Sequence, residues 1–442
     1  MKFLAAIGAL AGLAAAVPAP AQSNNKGLEV SLELVGHTDV KATVKNSGSQ
    51  KLRILKTASI IGNAPSKKVQ VTGKGGTPTF TGGIVNVVYK SLPEDAFVTI
   101  APGQSIDSTF DVAELYDMSE GGEFTIQGKG ALELGGDDLK IAEKASFETN
   151  VLTAKVDGVK AAKILDNVNS LHKRVVVDGN CQGDRFFKLE LAYNNAHTQA
   201  WVASYQARQG PADRLNEYFK GSDGNTRNTV GDVFDRAAGQ LQSLRDGEVR
   251  AYCQDPRGGC AGGGAAAVTY PYQNQIAYCD FFFDGSSDLN ENCHSQDRAE
   301  IVMHETTHTL QVAGTDDHAY FYDGIRGLNH QDALTNADTY GLYASSFWTN
   351  CYGANIAQVY SCIDINFGGA CTGVRMPVGF CANVPESFND QISSVGGSYT
   401  GVCYGYVDGG CTGNAMEIPN GHDAQLNTLP GFNDVFSSFR CV

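Results

Sequence analysis

Within seventeen residues the chain carries His304-Glu305-Thr306-Thr307-His308 and then Gly314-Thr315-Asp316-Asp317-His318-Ala319-Tyr320, which together offer imidazoles, carboxylates and a phenol. Two histidines four apart stand one turn above each other on a helix, so both can reach a single ion at about 2.0–2.1 Å. The glutamate between them projects beside that ion, where its carboxylate can take a proton from water. This His-Glu-x-x-His spacing is the pattern of a zinc-dependent peptide hydrolase. Gly314 is placed to end the helix and turn the chain back, which brings a carboxylate to the ion as the third protein ligand.

His-Glu-x-x-His followed by Gly-Thr-x-Asp-x-x-Tyr resembles the aspzincins, the deuterolysin and peptidyl-Lys endopeptidase family of secreted, mainly fungal zinc proteases. The resemblance implies one Zn²⁺ per chain held by His304, His308 and Asp317. It also implies Glu305 as general base and Tyr320 as the donor that supports the oxyanion and the leaving amine. One departure is visible: Phe321 follows Tyr320 where the family motif continues with glycine. Asn336-Ala337-Asp338-Thr339-Tyr340 also matches the family, and Asp338 corresponds to one of two acidic residues that bind substrate in the lysine-specific members. Gly341 stands in place of the other, which groups the chain with the deuterolysins. A helix-cap or core hydrogen-bonding role is the other reading of Asp338. His294, His318 and His330 are expected to be surface or supporting residues.

The 442 residues, 42% of them hydrophobic, are enough for two or three domains. Met1-Lys2 and the apolar run from Phe3 to Val17 read as a secretory signal peptide, residues 1–21. No other stretch approaches eighteen apolar residues, so a secreted protein with no membrane segment after signal removal is expected. A formal net charge of −15 argues against nucleic-acid partners and favours basic protein or peptide substrates. A monomer is expected.

All 12 cysteines lie from Cys181 onward, six up to Cys351 and six from Cys362 to Cys441. Even sets in a secreted chain imply disulfides, and six cysteines allow 15 pairings. The resemblance to deuterolysins implies Cys181 with Cys253, Cys260 with Cys279, and Cys293 with Cys351. Before the first cysteine, Leu28, Val30, Leu32 and Leu34 alternate with polar residues, as do Val40, Ala42 and Val44. An antiparallel sandwich with a helical tail near Val156 to Leu171 is expected there. It ends at Lys173-Arg174, a dibasic pair ahead of the first cysteine, which reads as a kexin-type processing site. Residues 22–174 are then a propeptide, and latency has to come from steric covering of the cleft because no cysteine is present to reach the zinc.

Residues 175–351 read as the mainly α-helical zincin domain. Asp184 to Tyr205 forms one helix, and Val230, Val233, Phe234, Ala237, Leu241 and Leu244 another, capped by Asn228 or Thr229. The helix with the His pair is expected to begin at Ser295, and Phe281 to Phe283 to form the edge of a short sheet that pairs with substrate. In residues 352–442, Phe388-Asn389-Asp390-Gln391-Ile392-Ser393-Ser394 returns as Phe432-Asn433-Asp434-Val435-Phe436-Ser437-Ser438. A repeat of about 40 residues means two copies of one β unit. The paired motifs resemble a Greek-key βγ-crystallin sandwich, which implies Ca²⁺ ligands from Asn389, Asp390, Ser393, Ser394, Asn433, Asp434, Ser437 and Ser438. The alternative is that they cap turns.

The expectation is thus a multidomain α+β chain: β-sandwich propeptide, α-helical zincin and Greek-key β-sandwich. Its expected function is that of a secreted zinc endopeptidase made as a zymogen. The alternative is a secreted protease inhibitor or cell-surface binding module whose working part is the crystallin-like region.

Overall fold

The computed structural model describes residues 26–174, 181–242, 244, 248–349, 351–353, 355–397, 401–418, 421–425 and 431–442. The expected signal peptide lies outside them. Lys173 and Arg174 end the helix Gly158–Arg174, and their side chains and residues 175–180 are outside the described part.

In the N-terminal region, alternation places Leu28, Val30 and Leu32 inward from one strand and Val40, Ala42 and Val44 inward from its partner. One sheet is ordered Leu28–Leu34, Asp39–Asn46, Ser105–Asp111. Two more antiparallel sheets, of four and three strands, close the same core. The expected sandwich is therefore built from three small sheets. Strands of only four residues, such as Leu52–Leu55 and Gln70–Gly73, are too short to carry one sheet across the core.

The middle region is helical around an alanine-rich core. Ala192, Ala196, Ala200 and Ala203 of the helix Asp184–Gln209 are fully or almost fully buried and let Gly224–Leu241 approach closely. Three expectations change. The second helix is capped by Asp223, whose side chain accepts from Asn225 N and Thr226 N, because an aspartate ahead of the first turn outcompetes residues already inside the helix. The motif helix is Arg298–His308, with Asp297 as the cap accepting from Glu300 N at 2.9 Å, so it starts after Ser295. Phe281 to Phe283 lie in a short helix, Asp280–Asp284, which turns both Phe282 and Phe283 into the core; a strand would send them to opposite faces.

The sheet beside the motif helix has four strands, ordered Arg250–Tyr252, Gln275–Tyr278, Ala265–Tyr270 and Ile84–Val87. Its outermost strand comes from the N-terminal region. The C-terminal region forms two four-stranded sheets. Each repeat gives three strands to one sheet and its third strand, Cys381–Asn383 or Gly421–Gln425, to the other, which is a Greek-key exchange. This region docks on Asp184–Gln209, where the buried Glu190 carboxylate accepts from Ser387 N at 2.8 Å and Asn194 Nδ2 donates to Asn383 O at 3.0 Å.

All twelve cysteines are paired: 181–253, 260–279, 293–351, 362–371, 381–411 and 403–441. The first three are the pairs the resemblance implied. Among the described residues no helix is long and apolar enough to cross a membrane.

Candidate active site

His304, Glu305 and His308 are completely buried on the motif helix. After His308 the chain turns at Gly314, which sits at φ +58°, and returns Asp317 to the imidazoles. The two Nε2 atoms are 3.1 Å apart, and Asp317 Oδ1 lies 3.3 Å from the first and 3.4 Å from the second. Four ligands at 2.0–2.1 Å around a tetrahedral zinc are separated by about 3.3 Å, so the triangle has the right size. Tautomers agree. His304 Nδ1 faces Asp338 Oδ1 at 2.9 Å and His308 Nδ1 faces the Thr315 carbonyl at 2.9 Å. Both partners can only accept, so each Nδ1 carries a proton and Nε2 is the nitrogen each ring turns inward. Two inward nitrogens and a carboxylate converging in a buried place need a cation between them, a metal ion or, without one, a proton. Asp317 Oδ1, buried with no hydrogen-bond partner among the described residues, points the same way.

Glu305 divides its two oxygens. Oε2 accepts from Thr269 Oγ1 at 2.6 Å, while Oε1 is buried without a partner, 3.8 Å from His304 Nε2. One oxygen is anchored and the other faces the triangle. Tyr320 donates to Asp317 Oδ2 at 2.7 Å, with its ring near parallel to that of His304. Burial, and then the Asp317 charge, push its phenol well above the usual range, so it stays a donor.

The sequence therefore named five residues that the fold brings together. Asp338 also belongs here, but not where substrate binding would put it. It is 3% exposed, one oxygen faces His304 Nδ1 and the other accepts from Phe321 N, so both are committed to the protein and the core hydrogen-bonding reading is the one observed. Asp338→Ala should weaken zinc retention by about 10–100-fold, measured by competition with a chelating dye. Thr269 and Thr315 were not singled out from the sequence. Thr269 reaches Glu305 only through sheet packing, and Thr315 acts through its carbonyl, which every residue type carries. His294 stacks on Tyr322, His318 is exposed, and His330 bonds the Phe219 carbonyl.

In the C-terminal region the two repeated motifs are related by symmetry. Asp390 and Asp434 take φ values of +56° and +55°, Asp390 N donates to Phe436 O, and Asp434 N donates to Ile392 O. Ser393 Oγ donates to Asp434 Oδ1 at 3.0 Å. Ser394 and Ser438 are fully buried and donate to the carbonyls of Asp364 and Asp408, so they fasten the folded hairpins. Asn389 and Asn433 each donate to the aspartate that follows, and Ser437 donates to Val407 O.

Comparison with known proteins bears on residues 1–351, which match the model of the Deuterolysin metalloprotease (M35) family. A "Neutral protease 2 homolog" from Phaeosphaeria nodorum is 37% identical over 357 residues, 79% of this chain and 100% of that protein. A solved zinc peptidase from Grifola frondosa is 18% identical, with a TM-score of 0.31, over 37% of this chain and 96% of its own. A solved betagamma-crystallin from an archaeon is 22% identical, with a TM-score of 0.17, over 20% of this chain and 98% of its own. The chain belongs to the deuterolysin metalloprotease (M35) family and is a zinc metalloendopeptidase.

Proposed function

We propose that the chain is the precursor of a secreted endopeptidase in which His304, His308 and Asp317 hold the zinc, Glu305 is the general base and Tyr320 the oxyanion donor. The observation that carries this is the buried triangle of 3.1–3.4 Å edges with unpartnered carboxylate oxygens beside it. Zinc supplies Lewis acidity toward the attacking water and the substrate carbonyl. Glu305 Oε1 receives the proton of that water and hands it to the leaving amine, while Thr269 keeps Oε2 from turning away. Tyr320 donates toward the oxygen on which charge develops. Asp338 and the Thr315 carbonyl orient the imidazoles.

Residues 1–21 are assigned as signal, 22–174 as propeptide, 175–351 as catalytic and 352–442 as a βγ-crystallin-like domain. Maturation is assigned to a kexin-type protease cutting after Arg174. Sequencing the secreted enzyme should give Val175 first, and a Lys173→Ala, Arg174→Ala variant should accumulate as a larger form. With Asp338 turned inward, a preference for basic substrates rests on the net charge of −15 alone. Casein digestion with and without residues 352–442 tests the whole reading. Activity retained without them supports it, and activity residing only with them would favour the binding-module alternative.

For the C-terminal domain, Asn389, Asp390, Ser393, Asn433, Asp434 and Ser437 are the proposed calcium ligands, with Ser394 and Ser438 reassigned to hairpin closure. Each site has one carboxylate, so dissociation constants of about 10⁻⁵–10⁻³ M are expected, as in extracellular modules. Calorimetry and thermal melting should show stabilisation of about 1.4 kcal/mol at ten times the dissociation constant. No heat and no shift at millimolar calcium would leave the motifs as turn caps.

A further inference from the structure

The strand Ala265–Tyr270 carries Thr269, the anchor of Glu305, and one of its edges is taken by the propeptide strand Ile84–Val87 in antiparallel register. Ile84 stands opposite Thr269, Val85 opposite Val268 and Asn86 opposite Ala267. By alternation, Ile84 and Asn86 share the face of Thr269, which looks toward the catalytic helix. Asn86 is 1% exposed there, and its Nδ2 has no hydrogen-bond partner among the described residues. The Val85 carbonyl oxygen lies 3.4 Å from the Tyr320 hydroxyl, the group assigned to the substrate's oxyanion. Tyr89 then packs on Tyr320 at 5.3 Å, and the Lys90 ammonium sits 5.1 Å over the Phe321 ring.

We propose that residues 83–89 are an internal inhibitor laid in the substrate's place by strand addition, and that cutting the chain after Arg174 leaves it bound. Main-chain pairing to an open edge takes any extended peptide, so the edge that serves substrate serves this segment too. The attachment is not the strand alone. On the opposite face, Val85 and Val87 join Leu55 and Phe97 in one apolar core with Val268 and Tyr270 of the catalytic region. Arg257 donates to the carbonyls of Thr81 and Glu114, and Val88 N donates to Gly264 O at 2.8 Å. None of these contacts passes through residues 174–175. Cleavage there removes the tether and leaves the contacts, so activation needs a second event, dissociation or digestion of the propeptide.

The inference rests on the peptidase reading, and its test does not depend on activity. Full-length Glu305→Gln chain, unable to digest itself, is nicked after Arg174 with a dibasic-specific protease. Gel filtration at micromolar concentration should elute both fragments together, and hydrogen exchange should find the amides of Ala265–Tyr270 equally protected before and after the cut. Fragments that separate at once, or an edge strand that exchanges freely, would overturn the proposal. Asn86→Pro in the same background breaks the ladder at its middle and should weaken retention by about tenfold, the worth of one hydrogen bond; undiminished retention would remove strand pairing from the explanation. With the active chain, peptide hydrolysis should lag behind the nick and rise as the propeptide is destroyed. A rise simultaneous with the nick counts against the proposal, whereas a chain inactive even after propeptide loss, with fragments still co-eluting beforehand, would sink the peptidase reading and leave the inhibitor strand standing.

Discussion

Glu305→Gln is expected to retain one zinc per chain and to lose turnover by about 10²–10⁴-fold, the contribution typical of a positioned general base. Glutamine keeps the size of the side chain and can still accept from Thr269 Oγ1, which holds Oε2 at 2.6 Å. The amide that replaces the other oxygen cannot take a proton. That oxygen, Oε1, is buried, unpartnered and aimed at the triangle, so proton transfer is the use the fold leaves for it. The proposed zinc ligands His304, His308 and Asp317 are untouched by the change, and metal content measured by atomic absorption should match the unmodified protein. Wild-type rates on casein would remove Glu305 from the mechanism, and loss of zinc would place it among the ligands instead. Thr269→Val should fall between the two, since the base remains but its second oxygen is released.

The clustering of the candidate site was legible because helical spacing is local. His304 and His308 meet through one turn of helix, and the return of Asp317 follows from Gly314 taking φ +58° within the same short loop. Phe321 is instructive in the same way. It stands where the family has glycine, yet it keeps the left-handed backbone at φ +59°, a conformation that costs a non-glycine residue about 1–3 kcal/mol. Its ring lies 6.2 Å from that of Tyr89 and under Lys90, so the departure at this position coincides with a contact to the N-terminal region. What the sequence hid is non-local. Thr269 is one threonine among many until the sheet packs it on Glu305, 36 residues away. The aromatic run Phe281 to Phe283 misled because strand and helix both bury aromatics, and only the packing of Phe282 and Phe283 together decides between them. The pairing of Ile84–Val87 with Ala265–Tyr270 joins segments about 180 residues apart, beyond the reach of any periodicity argument.

Removal of zinc by a chelator is expected to abolish hydrolysis, with zinc or cobalt restoring it, and the reloading should depend on pH in a direction the site dictates. In the metal-free protein burial alone would lower the pKa of His304, but the Asp317 carboxylate outweighs it and holds the imidazole well above its ordinary value. His308 shifts the same way for the same reason, although the His304 charge opposes it. Burial would raise Asp317, but His308 and His304 hold its carboxyl far below the usual range. A histidine raised in the folded state contributes stability that is complete below its unfolded pKa of about 6.5 and disappears as pH rises through the folded value. Protons therefore occupy the metal-free cluster across neutral pH, and zinc has to displace them. Two protonated Nε2 atoms cannot face each other at 3.1 Å, so about one proton should leave per zinc bound near pH 7. Apparent zinc affinity should then rise with pH through the neutral range and level off only once the raised folded-state pKa values are passed, and the heat of binding should change with the ionisation enthalpy of the buffer. Affinity that is flat between about pH 6 and 8, with buffer-independent heat, would mean that the triangle does not carry a proton in the absence of metal and that Asp317 is held apart from the two imidazoles.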